Sequence, residues 1–198
     1  VYEAGTTSEG RPFFAMEYVK GMAITDACDE QKLNLIERLE LMAKVCDAVQ
    51  HAHSKTIIHR DLKPSNILVY FDEDDVPQPK IIDFGVARTT DSDMAVTTLG
   101  TLVGEIIGTL QYMSPEQCAA DPSDIDTRSD LYALGVVLYE LLTGVLPYTL
   151  VGLPLHEAVR VVQEHEPTKL STIDRLLRGD IQTITLMALE KDRDRRYQ

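Results

Sequence analysis

Apolar positions fall into short runs near 1–19, 56–69 and 80–82 and into helical stripes at 34–53 and from 130 onward. Pro12-Phe13-Phe14-Ala15-Met16-Glu17-Tyr18-Val19 is aromatic and apolar and predicts a strand that Lys20-Gly21 ends. Val1-Tyr2-Glu3-Ala4 predicts a second strand, joined to the first by the turn-rich stretch from Gly5 to Gly10. A lone hairpin is marginal in water, so both need support from elsewhere. Leu35, Leu39, Met42, Cys46, Val49 and His53 recur at steps of four and three, which predicts an amphipathic helix over 34–53. Asn34, followed three residues later by Glu37, is its expected capping box. Thr56-Ile57-Ile58 and Ile67-Leu68-Val69 flank a polar loop, and Lys80-Ile81-Ile82 predicts a strand running into Asp83. Residues 86–113 lose the pattern and fill with Thr, Ser and Gly; a connection this long is functional or disordered. From 130 to 143 apolar residues cover nearly the whole helical circumference, so this helix belongs at the centre of the domain; Gly144 and Pro147 stop it. Further helical segments fall near 155–165 and 180–190. Strands early and helices late predict an α+β fold that becomes mostly helical.

With 198 residues the chain can build one substantial core. Its 44% hydrophobic and 26% charged residues are ordinary for a globular domain, and a net charge of −13 argues against a nucleic-acid partner held by phosphate attraction. Part of that charge is Asp72-Glu73-Asp74-Asp75, read as a solvated loop. Cys28, Cys46 and Cys118 form no CxxC pair, which suggests neither a zinc site nor a disulfide framework and fits a reducing, cytoplasmic setting. No apolar run reaches the roughly 18 residues a membrane span needs. His51 and His53, two apart on a helix, face different ways and read as structural.

The chemistry concentrates in 59–66, His59-Arg60-Asp61-Leu62-Lys63-Pro64-Ser65-Asn66. Asp61 can accept a proton, Lys63 can neutralise anionic charge, Asn66 offers a neutral oxygen ligand and Arg60 can pair with an anion. Asp83 lies on a nearby loop. Asp and Asn oxygens suit Mg²⁺, which takes one or two carboxylates together with substrate phosphates. Asp61 is then left to orient and deprotonate an alcohol, and the set suits phosphoryl transfer, which needs mainly positioning and electrostatic stabilisation. Singly these residues have plainer readings: Asp130 as a helix cap, Met16 as core, Asp83-Phe84-Gly85 as a strand-end turn.

Order and spacing together resemble the eukaryotic-type protein kinase superfamily, over essentially the whole chain. His59-Arg60-Asp61-Leu62-x-x-x-Asn66 matches its catalytic loop, Asp83-Phe84-Gly85 its metal-binding turn, and Ser114-Pro115-Glu116 the end of its activation segment, with Ser for the usual Ala. Gly-Arg-Pro-Phe-Phe-Ala-Met-Glu-Tyr, Gly-Thr-Leu-Gln-Tyr-Met-Ser-Pro-Glu-Gln and Ala-Leu-Glu-Lys-Asp-Arg look most like bacterial Ser/Thr kinases. The resemblance implies a protein-kinase-like fold, with 1–19 as a remnant of N-terminal lobe strands and hinge and 20–198 as a mostly helical C-terminal lobe. It implies Asp61 as catalytic base, Lys63 as γ-phosphate contact, Thr109 bridging Asp61 and Lys63, and Asn66 and Asp83 as Mg²⁺ ligands. Glu17 and Val19 would present hinge backbone groups to the adenine of ATP, with Met16 guarding the back of that pocket. Asp130 would tether the catalytic-loop backbone, and Arg196 in Lys-Asp-x-x-x-Arg would pair with Glu116, although Arg193 stands where the family often has Pro. Arg60 would pair with a phosphate on the activation segment, at Thr97, Thr98 or Thr101. The expected partners are proteins carrying Ser or Thr, with self-phosphorylation in trans among them.

The glycine-rich loop, strand lysine and partner glutamate of the family have no counterpart in the sequence. The expectation is an incomplete catalytic domain, inactive as an isolated piece, of an active Ser/Thr protein kinase. The alternative is a pseudokinase or scaffold module on the same fold; a small-molecule phosphotransferase would generally lack the Gly-Thr-x-x-Tyr-Met-Ser-Pro-Glu segment.

Overall fold

The computed structural model describes residues 2–7, 9–84, 108–119 and 125–198. Gly85, Thr97, Thr98 and Thr101 lie outside the described residues, so the expectations placed on them are not addressed by the structure.

The chain opens with a hairpin of β1 (Glu3–Thr6) and β2 (Pro12–Ala15), antiparallel with Glu3 opposite Ala15. The strand predicted to reach Val19 stops at Ala15. The Tyr2 amide donates to the Ala15 carbonyl at 2.7 Å. Met16 to Lys20 run on unpaired, with Tyr18 88% exposed.

A second antiparallel sheet has the order β3 (Met22–Ala23), β4 (Ile67–Phe71), β5 (Pro77–Ile81). Gly21 enters it so closely that a Cβ there would sit 2.7 Å from the Val69 carbonyl oxygen, so only glycine fits. The acidic stretch forms the β4–β5 turn. Asp72 accepts from the Asp74 and Val76 amides, and hydrogen bonds, first from Gln78 and then from Val76, hold its carboxyl below the usual range.

Helix α1 (Ile24–Glu30), not anticipated from the pattern, buries Ile24, Ala27 and Cys28. Helix α2 (Leu35–His53) begins at the expected capping box: Asn34 Oδ1 accepts from the Ile36 and Glu37 amides at 2.9 and 3.2 Å, and the Asn34 amide donates to Glu37 Oε2 at 2.7 Å. Its buried residues are Leu41, Met42, Val45, Val49 and Ala52: Met42 and Val49 as predicted, with Val45 and Ala52 buried in place of Cys46, which is exposed, and His53. The helix packs on two partners, β5 on one side and the central helix on the other, and this turns the stripe.

That central helix, α4 (Thr127–Thr143), follows the short α3 (Pro115–Cys118). Asp126 caps it by accepting from the Arg128 amide, and Gly144, at φ +72°, ends it. Tyr132, Ala133, Leu134, Gly135, Val136, Val137, Tyr139 and Leu141 are all buried, as the all-round apolar pattern predicts. One face joins α1, α2 and β4 in the main core, and Tyr132, Val136 and Tyr139 pack with Leu170, Leu177 and Leu189. The remaining helices are α5 (Leu155–Glu164), α6 (Leu170–Ile173) and α7 (Asp180–Ala188), the first and last where the sequence places them.

Candidate active site

The 59–66 loop leaves α2, crosses the top of the main core and enters β4. Leu62, 2% exposed, plugs it into that core, and Pro64–Asn66 close it with a tight helical turn. Arg60 and Asp83 hold positive backbone angles, φ +65° and +57°, which cost non-glycine residues free energy and persist only when neighbours enforce them.

The chief enforcer is Asp130, on the first turn of α4 and 1% exposed. Its Oδ2 accepts from the His59 amide and its Oδ1 from the Arg60 amide, both at 2.8 Å. The cap of α4 is Asp126, so Asp130 is free for this contact. His53 Nε2 is 2.7 Å from Asp130 Oδ2, so the last residue of α2 reaches the same carboxylate. Buried 1% exposed in the loop, His59 has its Nε2 2.9 Å from the Ile82 carbonyl and its Nδ1 3.3 Å from the Asp61 amide. That pattern assigns the proton to Nε2. Its ring lies 4.7 Å from that of Phe84. The Ile82 amide donates to the Asn66 carbonyl at 3.0 Å. Ile82 is therefore held by the 59–66 loop at both its polar groups, and this sets Asp83 beside the loop.

Within the loop, Asn66 Nδ2 donates to the Asp61 carbonyl at 2.8 Å and to Asp61 Oδ2 at 3.1 Å. Lys63 Nζ is 3.1 Å from Asp61 Oδ2 and 3.4 Å from Thr109 Oγ1. Lys63, rather than Thr109, spans the other two: among the described residues no bond joins Thr109 to Asp61. Asn66 Oδ1, Asp61 Oδ1 and both oxygens of the exposed Asp83 have no donor among the described residues.

The end of the Thr/Ser-rich connection is fixed to the helices. Leu110 packs with Tyr148, Leu150, Ala158 and Val162, and Tyr112 donates from its hydroxyl to Glu140 Oε2 at 2.6 Å. Arg196, 2% exposed, grips Glu116 with two bonds of 2.7 and 2.9 Å and also donates to the carbonyls of Glu190, Arg128 and Lys191. The Ser129 hydroxyl adds a bond of 2.7 Å to Glu116 Oε1. Burial pushes the Glu116 carboxyl toward neutrality, but Arg196 and Ser129 together overrule it and hold the group below its usual range. Burial likewise pushes Lys191 down to about 8; its ammonium donates to the Tyr148 hydroxyl and the Val162 carbonyl.

Glu17 pairs with Lys80 at 2.5 Å. The Glu17 carbonyl and Val19 amide make no backbone hydrogen bond among the described residues. Met16 is 44% exposed and Val19 partly buried. His53, His59 and Ser129 are structural members of the site to which the sequence reading assigned no role there. Only His59, inside the loop motif, carried a signal that could have raised it.

The fold and the placement of these loops are those of a protein-kinase-like α+β domain. The chain belongs to that family, since the sequence model described as protein kinase domain matches residues 2–197. It is 38% identical over 198 residues to serine/threonine-protein kinase PknB of Mycobacterium tuberculosis, covering 99% of this chain and 30% of that protein. Kinases of Myxococcus xanthus named serine/threonine-protein kinase pkn3 and Pkn1 are 37% and 36% identical over 193 and 187 residues, covering 97% and 94% of this chain and 35% and 26% of theirs. The chain thus spans about a third or less of the length of these relatives. No helix among the described residues is long and apolar enough to cross a membrane.

Proposed function

We propose that the chain is the catalytic region of a serine/threonine protein kinase, transferring the γ-phosphoryl group of ATP to Ser or Thr hydroxyls of proteins. The observation that carries the reading is the Asp61 carboxylate. One oxygen is tied to Asn66 and Lys63, and the other has no donor among the described residues. Asp61 Oδ1 accepts the proton of the substrate hydroxyl as its oxygen bonds to the γ-phosphorus and the bond to the bridging oxygen breaks, releasing ADP. Lys63 sets its charge between Asp61 and Thr109, where it steadies the anionic phosphoryl group. Thr109 limits where Lys63 can swing. Asn66 Oδ1 and Asp83 are hard oxygens with no donor among the described residues; they would hold Mg²⁺, which when bound would neutralise charge on the ATP phosphates. Glu17 and Val19 offer adenine one backbone acceptor and one donor, with Met16 behind them. Residues 1–19 serve as the strands and hinge of an N-terminal lobe and 20–198 as the C-terminal lobe.

Arg60, Glu116, Asp130, Arg196 and Phe84 support this site. The Arg60 guanidinium meets no acidic side chain among the described residues, so it is available to pair with phosphate at Thr97, Thr98 or Thr101, added by another copy of the protein. A cytoplasmic location for the domain is part of the same proposal, since its nucleotide is there.

The test is transfer of labelled γ-phosphate to a Ser/Thr-containing protein by the full-length gene product. Asp61→Asn should lower kcat by about 10²–10⁴-fold. Wild-type protein that binds ATP and transfers nothing would point to a scaffold module instead.

A further inference from the structure

We propose that Gln117 is a positioning residue that latches the end of the activation segment to the peptide plane carrying Asp61, within the kinase reading above. Gln117 lies on α3, directly after Ser114-Pro115-Glu116. Its Oε1 accepts from the Ser114 amide at 3.0 Å and from the Ser114 hydroxyl at 3.2 Å, and its own amide donates to Ser114 Oγ at 3.4 Å. Those bonds form a capping box, which needs only the oxygen end of the side chain. The nitrogen end is left over, and Nε2 donates to the Arg60 carbonyl at 2.8 Å, across 57 residues of sequence. The amide orientation follows from the partners, since a backbone N–H must meet Oε1 and a carbonyl must meet Nε2.

The target of that bond gives it its consequence. The Arg60 carbonyl and the Asp61 amide are the two edges of one peptide plane. Gln117 holds the carbonyl edge and His59 Nδ1 holds the amide edge. On the other side of Arg60, Asp130 holds the amide, and between these anchors Arg60 sits at φ +65°. Release of the carbonyl lets this strained residue relax by rotating the plane, and the Cα of Asp61 turns with it. No other described group donates to the Arg60 carbonyl. Ser114 is fully buried, and the adjoining Glu116 is clamped by Arg196. The latch therefore transmits the seating of the segment's end directly to the base, without passing through the nucleotide side of the site.

Two variants of the full-length protein separate the halves of the latch. Gln117→Met removes both ends at similar volume. Gln117→Glu keeps the acceptor for Ser114 and loses only the donor to Arg60. Both should lower kcat by about tenfold with the KM for ATP within about twofold, because the base is misaimed while nucleotide contacts are untouched. Amide hydrogen exchange supplies a readout that does not need phosphate transfer: the Asp61 amide should exchange faster in both variants, with Val136 and Val137 of α4 unchanged. A Gln117→Glu protein with wild-type kcat and wild-type Asp61 exchange would overturn the proposal. So would exchange that quickens equally throughout the domain, which would mark Gln117 as a general stabiliser. If wild-type protein transfers no phosphate, the kinase reading fails, and the exchange comparison still decides the latch.

Discussion

The 59–66 loop and the stretch leaving β2 are built in opposite ways. In 59–66, the His59 and Arg60 amides are captured by a carboxylate 1% exposed, Leu62 is sunk in the core, and Asn66 holds the Asp61 carbonyl. In 16–20, no residue belongs to a sheet, Tyr18 is 88% exposed, and Glu17 makes an exposed ion pair with Lys80. The helical part of the chain therefore preorganises the chemistry, while the segment proposed to hold adenine keeps its backbone groups open. Preorganised donors and acceptors are where enzymes gain most, since nothing has to reorient during the reaction.

The comparison breaks most severely at its hub. Asp130→Ala leaves two backbone amides and His53 without their acceptor in a buried site, and should cost about 3 kcal/mol or more of stability and at least about 100-fold in kcat. Urea denaturation and a phosphate-transfer assay measure the two. Arg196→Ala strands a Glu116 carboxylate whose side chain is only 9% exposed and should cost about 3–5 kcal/mol by denaturation, without touching the groups around Asp61 directly.

The same pair fixes the sign of an acid effect. Glu116 has a folded-state pKa below its ordinary one, so its contribution to stability is fully present above the ordinary glutamate range and is lost as pH falls through the depressed value. Thermal unfolding across that acid range should show the loss in wild-type protein and a smaller one in Arg196→Ala. At the weak end, Lys80→Ala removes a pair that is 39% and 58% exposed and should change stability by at most about 1 kcal/mol. A loss as large as that of Arg196→Ala would mean that 16–20 is anchored as firmly as the loop.

Much of this was legible in the sequence, for physical reasons. The capping box at Asn34, the glycine stop at Gly144 and the all-round apolar face of α4 are local signals, and each lies where the pattern puts it. The order of motifs from His59 to Arg196 pointed to the family, and the fold agrees. Errors arose where partners far apart in sequence decide the outcome. Cys46 fits a helical stripe on spacing, but β5 and α4 together turn the helix so that Leu41 and Val45 are buried instead. The strand from Pro12 ends at Ala15, opposite Glu3, and the apolar pattern that continues through Met16 to Val19 does not mark that end. Helix α1 was missed because it spans only seven residues and has no side-chain cap. The three-way contact of His53, Asp130 and the loop amides joins positions 77 residues apart, and spacing alone gives His53 no reason to face a buried acid.

The most direct test of the contrast is amide hydrogen exchange at His59 and Arg60 set against Glu17 and Val19 in the same protein. The account predicts strong protection of the two loop amides, abolished by Asp130→Ala, and fast exchange at the other two. Equal rates in both pairs, or protection of His59 and Arg60 that survives Asp130→Ala, would contradict it.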